Sequence, residues 1–98
     1  MWIGWIEFDL LLGDVHSLKE KRAVLRPLLA DLRRTTEASV AEVSDHDLHR
    51  RSRVGVGVVA AHAERVTDAL DGAERLVAER PEITLLSARR RLRRSDDD

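Results

Sequence analysis

The chain has no cysteine and no tyrosine, and only one phenylalanine, two tryptophans and two prolines in 98 residues. Without cysteine there is no disulfide framework, no thiolate metal ligand and no cysteine nucleophile. The longest strongly apolar run, residues 54–61, falls far short of the roughly 20 residues that a membrane-spanning helix takes. Met1 leads straight into Trp2-Ile3-Gly4-Trp5-Ile6 and not into a charged and then apolar leader. The expected location is therefore the cytoplasm, with no membrane partner. A large charge of one sign is also missing. Seventeen basic and 18 acidic residues leave a formal net charge of −1, which gives no bulk pull toward nucleic acid or membrane.

What is present is a 43% hydrophobic and 36% charged composition, that of a small globular domain with a heavily charged surface. One domain is expected over residues 1–94, followed by a disordered acidic tail at 95–98. The charge is unevenly placed. Lys19, Lys21, Arg22 and Arg26 form one basic cluster, Arg50, Arg51 and Arg53 a second, and Arg89, Arg90, Arg91, Arg93 and Arg94 a third. Arginine far outnumbers lysine. Its planar fork suits phosphate, although a coding bias is the plainer account of the excess.

Residues 2–12 alternate, with Ile6, Phe8, Leu10 and Leu12 on one parity and Glu7 and Asp9 on the other. Period two predicts a strand with one buried face, ended by turn chemistry at Gly13-Asp14. Ser17-Leu18-Lys19-Glu20 has the form of a capping box. It predicts a helix from Leu18 to about Arg34, with Leu18, Leu25, Leu28, Leu29 and Leu32 as its apolar stripe. Pro27 lies opposite that stripe, so the helix is expected to bend and not to break. Residues 38–43 read as a short strand, 44–52 as a polar loop and 53–60 as a third strand. Residues 62–80 read as a second helix, with Pro81 beyond its end, and 82 to about 92 as a last strand. The order βαββαβ predicts an α+β, ferredoxin-like fold: a four-stranded antiparallel sheet with two helices on one face. Right-handed crossovers place the first and third strands in the centre and the arginine-rich last strand at an edge.

Three stretches carry a resemblance when taken together and in order: Ser-Leu-Lys-Glu-Lys-Arg (17–22), Ser-Val-Ala-Glu-Val (39–43) and Asp-Leu-His-Arg-Arg (47–51). The chain resembles the YlxP-like family, small bacterial proteins of unknown function, over nearly its whole length. The resemblance implies a ferredoxin-like fold and a cytoplasmic bacterial protein. Genes of that family often lie beside genes for transcription elongation, translation initiation and ribosome-binding factors, which implies work in ribosome assembly or translation. It supplies no catalytic residue. Thr36 is a departure, because relatives tend to carry an aromatic residue there.

The first helix holds the main candidate site. Lys19, Arg22, Arg26 and Arg33 fall at i, i+3, i+7 and i+14, along one flank of the apolar stripe, with Lys21 on the other flank. Cations in a first helical turn oppose the macrodipole, so helix stability does not explain them. Ser17, Lys19, Lys21, Arg22 and Arg26, helped by Arg50, Arg51 and the basic run from Arg89 to Arg94, are the expected anion or nucleic-acid contacts. They would touch phosphates of ribosomal RNA, or else a ribosomal protein, and no reading of DNA sequence is expected. A solvated helix rim is the plainer account of the same charges. Asp45, His46, Asp47 and His49 share a loop, but their spacing matches no preorganised metal site, and no metal or cofactor is expected. Asp14, His16 and Ser17 are too close in sequence to converge as a triad, and no enzymatic role is expected. Glu42, between valines, is expected to pair with Arg51 or Arg53. The open sheet face should carry Ile3, Trp5, Leu11, Gly55, Gly57 and Val59. Lacking stacking aromatics on both central strands, it does not look like an RNA-binding platform of the usual kind. The expected partner of this face is a second copy, making a homodimer.

Overall fold

A computed structural model describes residues 1–97. The elements run β1 (Trp2–Leu12), α1 (Leu18–Thr36), β2 (Ser39–Ser44), β3 (Arg51–Ala60), α2 (Ala63–Ala78) and β4 (Ile83–Arg94). All strand pairs are antiparallel, in the order β2-β3-β1-β4. The two most apolar strands are central and the arginine-rich β4 is an edge, as the pattern predicts.

The core lies between one sheet face and both helices. Ile6, Phe8, Leu10 and Leu12 of β1 and Val54 and Val56 of β3 meet Leu25, Leu28 and Leu32 of α1 and Val66, Leu70, Ala73 and Val77 of α2. Each large side chain fully buried here contributes roughly 1.5–3 kcal/mol. The sheet admits α2 closely because Gly4 has no side chain. A Cβ at Gly4 would stand 2.4 Å from Val66 Cγ1 and 3.2 Å from the Arg91 carbonyl oxygen.

Helix α1 runs unbroken through Pro27. Pro27 and Ala23 are both exposed, so the carbonyl that loses its donor can be hydrated. The helix ends two residues later than expected. Glu37 closes it in the left-handed region (φ 54°), its N–H donating to the Arg33 carbonyl at 2.9 Å. The Thr36 hydroxyl donates to the Leu32 carbonyl at 2.6 Å. Where an aromatic residue is expected, Thr36 borders an open depression of about 470 Å³ with Val58, Val59 and Arg65. At the β1–α1 turn the left-handed residue is Asp14 (φ 47°) and not Gly13.

Two register shifts shape the sheet. One lies between Asp9 and Leu10 where β1 meets β4, the other between Glu42 and Ser44 where β2 meets β3. Strand β3 begins at Arg51, two residues earlier than predicted, because Ser52 pairs with Leu10 and is fully buried. At the C-terminal end, expected as a disordered tail, the Ser95 N–H donates to the Met1 carbonyl at 2.9 Å and Asp96 lies 3.1 Å from Arg94. Asp98 is outside the described residues.

Candidate nucleic-acid interface

The three stretches that carry the resemblance meet at one side chain. Lys21 is 2% exposed. Its ammonium donates to the carbonyls of Asp45 and Leu48, both at 2.7 Å, and lies 2.9 Å from Glu42 Oε2. The same carboxylate oxygen accepts from the Ser52 hydroxyl at 2.6 Å. An ammonium has three donors, and here all three are taken. Lys21 is therefore not a phosphate contact. It fastens the β2–β3 loop to α1. The expectation of a second flank fails because 21, 25, 28 and 32 are spaced i, i+4, i+7 and i+11, which puts Lys21 on the buried stripe itself.

The expected partner of Glu42 is also corrected. Glu42 pairs in register with Val54 on the helix-covered face, whereas Arg51 and Arg53 point to the other face. The side-chain period of two forbids the predicted contact. Arg51 instead places Nη2 2.9 and 3.0 Å from the two Asp9 oxygens. Its pKa is raised above the ordinary arginine value, first by that hydrogen bond and then by the Asp9 charge. Arg53 lies 3.5 Å from Glu7 and 3.9 Å from Asp9.

Ser17 caps α1 as predicted, its hydroxyl accepting from the Glu20 N–H at 3.1 Å. The reciprocal contact is displaced by one residue: the Glu20 carboxylate accepts from the His16 N–H at 3.1 Å. Ser17 thus serves as a structural cap through its hydroxyl oxygen. Arg50 is exposed but tied to the Leu12 carbonyl through Nε at 3.2 Å. Arg33 reaches the Val40 carbonyl at 2.8 Å. In the loop, His46 Nε2 donates to the Glu42 carbonyl at 3.1 Å. No group of three or more metal-binding side chains is arranged to hold an ion among the described residues.

Of the expected contacts, the structure brings Lys19, Arg22 and Arg26 together on one exposed surface. Among the described residues none of the three has an acidic partner. They border a shallow depression of about 420 Å³ with Ala23 and Pro27. Other arginines are consumed internally. Arg80 pairs with Asp31, and Arg90 reaches Asp71 and Glu74 at 2.8 and 3.0 Å.

The open sheet face has two parts. At one end Ile3, Trp5 and Val59 are 38%, 41% and 61% exposed, around Gly57. At the other, Glu7 and Asp9 form a central acidic row between Arg51 and Arg53 on β3 and Arg89 on β4. Leu11 is half-buried at the far end. Gly55 is not a bare floor, because Val43 Cγ1 lies 3.1 Å from where its Cβ would be. Arg91 stands directly opposite Trp5, and Arg93 opposite Ile3. Sequence reasoning missed these two neighbours, since the pairing of β1 with β4 is set by a shift at Asp9/Leu10 that no local pattern signals.

The βαββαβ order with β1 and β3 central defines a ferredoxin-like α+β domain. A de novo designed protein with a ferredoxin fold matches at TM-score 0.54 and 14% identity, over 99% of this chain and 89% of that one. SnoaB, a cofactor-independent oxygenase from Streptomyces nogalater, matches in a mutant form at TM-score 0.53 and 10% identity, over 99% and 95%. At such identities the likeness concerns the fold alone. The chain belongs to the family described as protein of unknown function DUF503, which it matches over residues 3–90. The uncharacterized protein YlxP of Bacillus subtilis (strain 168) is 30% identical over 81 residues, which is 83% of this chain and 88% of that protein. No helix among the described residues is long and apolar enough to cross a membrane.

Proposed function

We propose that this protein is a non-enzymatic accessory factor that binds ribosomal RNA, or the RNA of a ribosomal precursor, through phosphate contacts. The observation that carries the reading is the row Lys19, Arg22 and Arg26 on the exposed side of α1, without acidic partners among the described residues. Seven helical residues advance about 10 Å, so the row spans more than one phosphate. Its cations begin in the first turn, where the macrodipole opposes them. Their placement serves an external anion better than it serves the helix. The Lys21–Glu42–Ser52 cluster is closed on itself and offers no free acid, base or nucleophile.

A homodimer through the open sheet face is the competing reading. Exposed Ile3, Trp5 and Val59 favour it. The strand positions of that face, however, carry five arginines and two carboxylates. Stacking two such faces would bring like charges together.

The test is sedimentation of the protein in a gently lysed extract through sucrose gradients at low and moderate salt. The native chain should travel with a ribosomal subunit or its precursor at low salt and fall away as salt rises. With three phosphate contacts, the logarithm of affinity should fall with the logarithm of salt at a slope of about −2 to −3. The variant carrying Lys19→Glu, Arg22→Glu and Arg26→Glu should stay at the top throughout. A native chain that stays at the top at every salt concentration defeats the reading.

A further inference from the structure

The apolar end of the open sheet face has a chemistry distinct from the α1 row. Trp5 presents its indole at the surface. On one side its register partner is Gly57, and a Cβ there would meet nothing within 4 Å. The space directly over Gly57, beside the indole, is therefore open. On the other side stands Arg91, directly opposite Trp5, followed by Arg93 opposite Ile3. Neither has an acidic partner among the described residues. Glu7, the nearest strand carboxylate, is already shared by Arg89 at 3.2 Å and Arg53 at 3.5 Å. Trp5, Glu7, Arg89, Arg90 and Arg91 line an open cleft of about 420 Å³.

An exposed indole beside that open space and two uncompensated guanidiniums is complementary to a flat ring that carries a nearby anion. Single-stranded nucleic acid supplies both, because its unstacked bases stack on aromatic side chains while its phosphates meet a basic border. Arg91 and Arg93 are two residues apart on a strand, about 6.6 Å, a step short enough to address neighbouring phosphates of one strand. A duplex cannot use the site, since its bases hide their faces in the stack. A protein interface is poorly matched. Stable ones bury about 800 Å² per partner around an apolar centre, and this patch has three half-exposed apolar side chains with a positive border. A second copy would bring the same positive border.

We infer that the open sheet face binds single-stranded nucleic acid, stacking a base on Trp5 beside Gly57 and holding the flanking phosphates with Arg91 and Arg93. The site stands on a surface separate from the α1 row, so it holds or falls independently of that row.

Tryptophan emission tests it. Replacing Trp2, which is half-buried beneath Arg94, with phenylalanine leaves Trp5 as the only indole. Titration with an eight-residue oligouridylate should quench Trp5, and rising salt should reverse the quench. Arg91→Glu with Arg93→Glu should weaken binding roughly tenfold or more. Trp5→Ala should weaken binding, followed by anisotropy of a labelled oligonucleotide, by a similar factor, and Trp5→Phe should recover part of it. Lys19→Glu, Arg22→Glu and Arg26→Glu together should leave the quench intact, which separates this site from the α1 row. Thermal unfolding of each variant shows that it is folded. Unchanged Trp5 emission up to millimolar oligonucleotide overturns the inference, as does equal quenching by a blunt-ended RNA duplex of two complementary strands. A concentration-dependent dimer dissolved by Trp5→Glu also overturns it, because the face would then belong to a second copy.

Discussion

Gly4 and Gly57 lie on neighbouring central strands of one sheet, Gly4 facing the helices and Gly57 facing solvent. A methyl group at Gly4 would run into Val66 and the Arg91 carbonyl, whereas at Gly57 it would meet nothing. Their surroundings differ in the same way. The covered face is filled with apolar side chains and holds one polar cluster, Lys21–Glu42–Ser52, whose groups are internally paired. The open face keeps an exposed aromatic ring, an open surface over Gly57 and, in Arg91 and Arg93, two cations with no acidic partner among the described residues. One face is closed by packing and hydrogen bonding, so its unusual residues have a structural reason. On the other, Arg91 and Arg93 have no acidic partner among the described residues, and the inferred ligand site rests on them.

The contrast breaks most severely at Lys21. Lys21→Met leaves the Glu42 carboxylate and the carbonyls of Asp45 and Leu48 without their cation. Removing one member of a buried ion pair costs about 3–5 kcal/mol. Because Glu42 is partly exposed, with 18% of its side-chain surface open, the lower end is expected. Urea unfolding should show a lower midpoint with an unchanged slope. Converting Glu42→Gln in the same chain should cost less than the sum of the two single changes, the mark of a coupled pair. Additive losses would mean that Lys21 stabilises chiefly through the loop carbonyls.

Gly4→Ala comes next. Val66 is fully buried and, β-branched in a helix, has little rotamer freedom, and the Arg91 carbonyl belongs to the β4 backbone and cannot move alone. Overpacking of this kind costs about 1–3 kcal/mol. The check is the thermal midpoint, with Val66→Ala added as a second change. If Val66 causes the clash, the pair should be less destabilised than the two single effects predict.

The order of elements and the central pair of strands were legible because they depend on periods of two and 3.6 that local sequence carries. Ile6, Phe8, Leu10 and Leu12 announce a buried face, and Ser17 announces the start of a helix. The site was legible only in part. Lys19, Arg22 and Arg26 share a face by helical spacing alone, and the structure keeps them exposed. Lys21 lies on the stripe by spacing alone, but a lysine reads as a surface charge until its partners are known. Those partners, in a loop more than 20 residues away, were not legible. Glu42 and the arginines expected to pair with it lie on opposite faces, because the partner face of a short strand depends on register, which is a property of the pairing. Arg91 beside Trp5 lay beyond the reach of local pattern, since a bulge between Asp9 and Leu10 decides which residues of β4 meet which residues of β1.

The smallest expected effect belongs to Gly57→Ala, and it sharpens the comparison because the same substitution is costly on the other face. The new methyl group meets no atom, and alanine loses less conformational freedom on folding than glycine does. Stability should stay within about 0.5 kcal/mol of the native chain or rise slightly. A loss above about 1 kcal/mol would show that the space over Gly57 is covered in solution, and the open face would then have to be treated as packed. If stability is kept while oligonucleotide affinity falls, the methyl group obstructs only the bound state. Gly57 would then be a residue whose emptiness serves the ligand and not the fold.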